Sequence, residues 1–473
     1  MQFTSITFVF YFLPAFLVLY LLISKTFLRN LFLLAASIGF YAWGEFRFVP
    51  LLILSAAVNY GLAPNVARRG GRKRTALLWT GIALNLAPLV VFKYGALLLR
   101  AGKPILDAAG WRVPAVTTDL PLGISFYTFK AISYLVDVYR KDTPAERDPV
   151  AFAAYLTMFP QILAGPIERM ADAAAELRHR RVTLSRFRQG AQLFIAGMAA
   201  KMLIANTLAV PADAAFSSRA GALTAPIAWV GLIAYTLQIY FDFAGYTNMA
   251  IGLGHMLGFT FPRNFNYPYA ATSITDFWQR WHITLSTWLR DYLWFPLGAN
   301  RRGRLRTYAN LLLVFLVCGL WHGANYTFAV WGLFHGTLLA IERGGLLGML
   351  KRCGTALATI YSVGMAMMGW VIFRSESLRG AAGFFAALAG ANGTAGDSVF
   401  RILSPEAMAA LAAGICFAYP IPRLAWEHLN SGAPAWAKPA LEAAATLAAM
   451  TVFLVSLMAI AEGSHNPFLY FRF

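Results

Sequence analysis

The chain has 473 residues, of which 59% are hydrophobic and only 13% charged, whereas an ordinary soluble domain is about one-quarter charged; this composition excludes a soluble globular protein and points to one built in a bilayer. The formal net charge of +19, from 40 Lys and Arg against 21 Asp and Glu, is concentrated in short loops rather than on a face of a soluble module, which excludes nucleic acid as a partner. Cys318, Cys353 and Cys416 form no CxxC pair, so neither a disulfide frame nor a thiolate metal site is expected.

In chain order, apolar runs over 6–23, 76–98, 227–241, 307–321, 326–341, 355–373 and 443–460 approach or exceed the ~20 residues needed to span hydrocarbon. Runs this continuous are helices, because lipid offers a bare backbone no hydrogen bonds. The expectation is an all-α polytopic membrane protein with roughly ten to twelve transmembrane helices plus re-entrant or interfacial helices. No soluble domain fits between the runs, so residues 1–473 read as one transmembrane domain, with N-terminal helices over 1–100, central segments over 120–345 and C-terminal helices over 346–473. The first run lacks a basic n-region and a small-residue cleavage site, and so reads as a span rather than a signal peptide.

Three basic clusters, "ARRGGRKR" at 67–74, "RHRRVTLSRFR" at 178–188 and "RRGRLR" at 301–306, belong on the cytoplasmic side by the positive-inside rule. The loop 102–119 then faces outward. "AFAAYLTMFPQILAGPIERM" is interrupted at Pro160 and at Gly165-Pro166, which predicts a kinked or re-entrant helix. No internal repeat is evident, an argument against transporters built by duplication.

Four of the thirteen tryptophans, at 278, 281, 288 and 294, fall within 273–304. Helical spacing there places Phe277, Trp281, Leu285, Trp288 and Tyr292 on an apolar face, with Gln279, His282 and Ser286 on a polar one. Thr275 or Asp276 would cap this helix, and Pro296 and Gly298 would end it. An interfacial amphipathic helix accounts for the pattern; a functional role for His282 is the sharper alternative.

Ionisable side chains within spans are costly and mark candidate sites. Sixteen residues separate Arg306 from His322, about 24 Å of helix, which is most of the hydrocarbon depth. His322 is suited to act as a general base on a hydroxyl, with Gly323 opening an approach and Asn325 available to bond a ring nitrogen or carbonyl. A core histidine satisfied by a carbonyl is the plainer reading. His335 lies about 220° from His322 on an ideal helix and reads as a packing residue. Asp242, after an apolar span, needs a partner such as an arginine, and serves either helix packing or catalysis.

No nucleophile elbow, phosphate loop, dinucleotide fingerprint or HExxH is present. However, "LPLGISFYTFKAISYLVDVYR", "FPQILAGPIER", "YFDFAGYTNMAIGLG", "NFNYPYAATSITDFWQRWHITLSTWLRDYLWFPLGANRRG", "GLWHGANYTFAVWGLFHG" and the terminal "NPFLYFRF" resemble, in order, the blocks of the membrane-bound O-acyltransferase family, in its bacterial branch concerned with alginate O-acetylation. Asn248 stands where that branch usually has Asp, and Lys130 where it commonly has Gln.

The resemblance implies an acyltransferase with His322 at the family's invariant histidine and His282 at its semi-invariant position. A funnel or tunnel through the same blocks would be lined by Trp321, Gly323, Asn325, Asp242, Tyr240, Trp278, Arg280, Trp281, Ser286, Arg290 and Asp291. It further implies that acetyl groups pass from cytoplasmic acetyl-CoA, with no permanently bound cofactor, across the bacterial inner membrane to an exported polysaccharide such as alginate. A periplasmic or membrane-anchored polysaccharide acetyltransferase would complete the transfer. Arg301, Arg302 and Arg304 are candidates for the CoA phosphates, although topology alone would explain them. Cellulose, peptidoglycan or a teichoic-acid-like polymer are alternative acceptors, and a proton-coupled exporter using His322 and Asp242 is the non-enzymatic reading.

Overall fold

A backbone inside hydrocarbon must satisfy its own hydrogen bonds, and in the computed structural model every regular element among the described residues is a helix. The structure describes residues 1–108, 119–218, 221–301, 303–394 and 399–463; the block "NPFLYFRF", most of the 102–119 loop and Arg302 lie outside them.

Among the described residues seven helices are long and apolar enough to cross a membrane, or eight if the pair Pro405–Ala418 and Ile421–Gly432, bent by 66°, forms one span. This is fewer than the roughly ten to twelve expected, because Thr26–Arg68 counts once and some apolar runs form helices of only 16 residues. The first gives Thr7–Leu22, and the run beginning at Tyr326 gives a helix of 16 residues. The last span, Lys438–Ala461, is mostly exposed, leaving Leu447, Leu454 and Met458 for lipid to cover. The chain is a multi-pass membrane protein.

Two compact units are formed, one by Met1–Ala191 with Ala250–Pro262 and one by Gln192–Met249 with Arg263–Phe473. The first contains α1 (Thr26–Glu45), α2 (Val49–Arg68), α3 (Gly71–Ala108), α4 (Ile124–Arg140), α5 (Pro149–Thr157) and α6 (Met170–Arg178). Its core includes Phe159, whose ring lies 5.0 Å from Phe16 and 5.4 Å from both Phe12 and Phe40. The expected break after α5 is present: Met158 leaves the helical region with ψ 125°, and Pro160 enters the next short helix in its first turn, where a proline costs no hydrogen bond. Lys130, only 2% exposed, donates to the Tyr155 carbonyl at 2.5 Å and to Gln161 Oε1 at 2.6 Å, while Gln161 donates to Glu168 at 2.9 Å. Its ammonium group is thus satisfied inside the fold.

The second unit takes in the end of α7 (Leu184–Ala199) and much of α8 (Ala225–Leu257), followed by α9 (Ile274–Arg280), α10 (Ile283–Leu289), α11 (Arg304–His322), α12 (Tyr326–Ile341) and α13 (Thr355–Arg374). Gly197 and Gly245 let two backbones approach, since a Cβ on either would strike the other's carbonyl oxygen, as small residues do in membrane helix packing. One turn away, Lys201 and Asp242 form an ion pair with side-chain exposures of 1% and 2%. The partner required by Asp242 is therefore a lysine rather than an arginine. Glycines also close the α11–α12 hairpin: a Cβ at Gly319 would meet the Phe328 carbonyl, and one at Gly332 the Phe315 carbonyl.

Candidate active site

The tryptophan-rich segment does not form the single helix its periodicity predicts. Trp281 is extended (φ −99°, ψ 131°) and His282 is left-handed (φ 41°, ψ 53°), which separates α9 from α10. A non-glycine residue in that conformation costs about 1–3 kcal/mol and needs its surroundings to hold it. Here Asn264 does so: its carbonyl accepts from Ile283 N at 2.9 Å. Its Oδ1 receives Thr284 N at 3.2 Å, Thr284 Oγ1 at 2.9 Å and His282 Nδ1 at 3.0 Å.

The helix cap also differs from expectation. Ser273 Oγ accepts from Asp276 N at 2.9 Å, while Thr275 and Ile274 donate their backbone N–H groups to the buried Glu342 carboxylate at 2.8 and 2.6 Å. An anion at a helix start is favourable, and a residue 68 positions away supplies it. Three of the four indoles, Trp278, Trp281 and Trp288, are buried within the protein, and Trp294 is half-buried. Trp281 lies 4.8 Å from Trp370, 5.0 Å from Phe265 and 6.4 Å from Tyr240.

His282 is wholly buried, with the Phe243 ring edge-on at 4.8 Å and the Trp321 indole at 6.1 Å. Burial pushes its imidazole well below the ordinary histidine range. His322 is the last residue of α11, which ends because Gly323 is extended. The ring of His322 contacts Trp321 at 4.7 Å, Trp331 at 5.1 Å and Phe373 at 5.2 Å. Gly323 leaves room for the Phe328 ring, so that space is taken by the protein's own aromatic side chain.

His335 is fully buried. Its Nδ1 accepts from Trp278 Nε1 at 3.4 Å, and its ring packs on Trp331 at 5.0 Å. A Cβ at Gly369 would collide with its Nε2. The angle between His322 and His335 on one ideal helix does not apply, because the chain reverses between α11 and α12; both rings meet Trp331 from different helices.

The remaining candidates fall into separate groups. Asn325 does not face a histidine: it caps α12, accepting from Thr327 N at 3.4 Å and donating to the Glu376 carbonyl at 2.9 Å. Arg280 pairs with Asp276 and Arg290 with Asp291, each at 2.7 Å, and Ser286 Oγ donates to the Trp281 carbonyl at 3.4 Å. Arg301 and Arg304 are exposed at the α11 end opposite His322. The structure thus gathers His282, His322, Trp321, Trp281, Trp278 and Tyr240 into one aromatic-walled region. Sequence reasoning missed Asn264, Trp331, Phe373 and Glu342, which come from elements whose local pattern says nothing about their contacts.

Two buried imidazoles against one indole, walled off from water, can accept and return protons in an acyl transfer. The sequence model of the membrane-bound O-acyltransferase family matches residues 143–355. The chain is 41% identical to a probable alginate O-acetylase of Azotobacter vinelandii and 40% identical to one of Pseudomonas aeruginosa, in both cases over 100% of each chain. It is also 34% identical to the peptidoglycan O-acetyltransferase of Helicobacter pylori, over 83% of this chain and 80% of that one. The chain belongs to the membrane-bound O-acyltransferase family and is an O-acyltransferase.

Proposed function

We propose that the protein moves acetyl groups from cytoplasmic acetyl-CoA across the inner membrane for O-acetylation of an exported polysaccharide, alginate being the first acceptor to test. The observation that carries this reading is that the His282 and His322 rings both lie against Trp321 in a buried, aromatic-walled site. The full-length similarity to probable alginate O-acetylases supports the acetyl group and the polymer.

His322 takes the proton of the attacking hydroxyl as its oxygen bonds the acyl carbonyl carbon. The carbon–sulfur bond then breaks, and the departing thiolate recovers the proton from the imidazolium. His282 assists by orienting or polarising the attacking hydroxyl. A periplasmic or membrane-anchored polysaccharide acetyltransferase carries the ester to the polymer. Exposed Arg301 and Arg304, with Arg302 between them in sequence, meet the CoA phosphates, and the basic composition of their loop supports a cytoplasmic side.

The test supplies the protein in lipid nanodiscs with acetyl-labelled acetyl-CoA, a periplasmic acetyltransferase partner and unmodified alginate. Label in alkali-labile esters is the predicted result. No thioester consumption with all components present would contradict it. Transfer to peptidoglycan fragments but not to alginate would reassign the acceptor, in line with the relative acting on that polymer.

A further inference from the structure

The bonding around Asn264 fixes which nitrogen of His282 carries the proton. A backbone N–H can only donate, so the Asn264 atom 3.2 Å from Thr284 N must be the oxygen, which then also accepts from the Thr284 hydroxyl at 2.9 Å. The same oxygen faces His282 Nδ1 at 3.0 Å. Two acceptors cannot share that distance, so Nδ1 bears hydrogen. In a neutral imidazole the other nitrogen, Nε2, then keeps the lone pair.

We infer that Asn264 is a positioning residue for acyl transfer, holding His282 as the Nδ1–H tautomer with Nε2 as its proton-accepting nitrogen. The inference rests on the reading above in that His282 takes part in the transfer. The left-handed backbone at His282 is part of the device, since Asn264 grips the chain at and after the break while Asn266 grips it before. Its carbonyl holds Ile283 N, its side chain holds Thr284 and the imidazole, and Asn266 N bonds the Arg280 carbonyl at 3.0 Å. Phe243 and Trp321 fix the ring plane from two other helices. As for charges on the packed elements, Asp242 beside Phe243 is paired with Lys201, and His322 follows Trp321. A neutral amide is the orienting group, so the imidazole is steered without being charged. A carboxylate at 264 would stabilise the imidazolium instead.

The test uses the full-length protein in lipid nanodiscs with nitrogen-15 histidine, the His282 signals being assigned by their loss in His282→Gln. The expected spectrum has a protonated Nδ1 and an unprotonated Nε2 at neutral pH. The reverse tautomer in the unsubstituted protein would overturn the inference whatever the activity. Asn264→Ala is expected to lower kcat about 10–100-fold with little change in the KM for acetyl-CoA, the range found for groups that orient metal-bound histidines through their other ring nitrogen. Asn264→Asp, nearly isosteric, is expected to move the acidic limb of the kcat profile to higher pH. An unmoved limb in Asn264→Asp, with the variant folded, would reduce Asn264 to a structural residue. Full activity of His282→Gln would instead overturn the catalytic role of His282, leaving the tautomer result to stand or fall on the spectrum.

Discussion

The His282 ring lies 6.1 Å from the Trp321 indole, although 39 positions separate them in the chain. Trp321 in turn lies against His322, so one indole connects the two histidines of the proposed site. Trp321→Ala should therefore remove acetyl transfer and also destabilise the unit, by about 3–5 kcal/mol for a large buried ring. Trp321→Phe keeps an aromatic wall and should retain most of the stability and a measurable rate. Equal loss of rate in both, at full stability in the phenylalanine variant, would mean that the indole is more than a wall.

The Lys201–Asp242 pair is buried on both sides, and Lys201 also donates to Asn206 at 3.1 Å. Removing one charge strands the other, at a cost of about 3–5 kcal/mol, whereas removing both can be close to neutral. Asp242→Asn and Lys201→Met alone should each lower the thermal midpoint in detergent clearly, and the double variant should recover most of the loss. An additive double variant would show that the two groups act independently.

The α11–α12 hairpin depends on Gly319 and Gly332, at each of which a Cβ would meet a carbonyl of the facing helix. Gly319→Ala should force the helices apart and cost about 1–3 kcal/mol. Because His322 ends one helix and Trp331 sits in the other, transfer should fall with it. Stability and rate are read together in the same preparation; a variant as stable and active as the original protein would refute the close packing.

Glu146 lies outside the spans and gives a pH signature. Burial raises its carboxyl, but the N–H groups of Asp148 and Arg147 and the Arg178 guanidinium outweigh it, holding the folded group below its ordinary 4.5. A lowered folded value means that the contribution to stability is fully present above the unfolded value and is lost as pH falls through the folded one. Glu146→Gln should thus lower the thermal midpoint at neutral pH, and the difference should shrink once the pH drops below 4.5. A difference that persists unchanged in acid would remove charge from the explanation.

The helical, membrane-embedded character of the chain was legible because it is a property of composition and run length. The number of crossings was not, since a 16-residue run such as Tyr326–Ile341 and a broken one around Pro160 count alike in a hydropathy reading. His282 was legible as a residue but not as a break: the period of Phe277, Trp281, Leu285 and Trp288 is helical, and only the long-range grip of Asn264 turns the chain there. Lys201 escaped notice as the partner of Asp242 because 41 positions separate them and no local spacing rule relates residues on different helices. Asn325 does bond a carbonyl, that of Glu376, while its oxygen caps a helix, a local role that sequence spacing alone does not separate from a contact with the site.

The central claim is that His322 is the base for acetyl transfer, and the most direct measurement is the ester-linked acetyl content of the exported polymer in cells whose sole copy carries His322→Ala, at membrane levels matched to the unsubstituted protein. The predicted result is loss of acetylation by at least about 100-fold, the lower range for removing a positioned general base, with the variant's thermal midpoint close to that of the unsubstituted protein. Unchanged acetyl content in that strain would contradict the account.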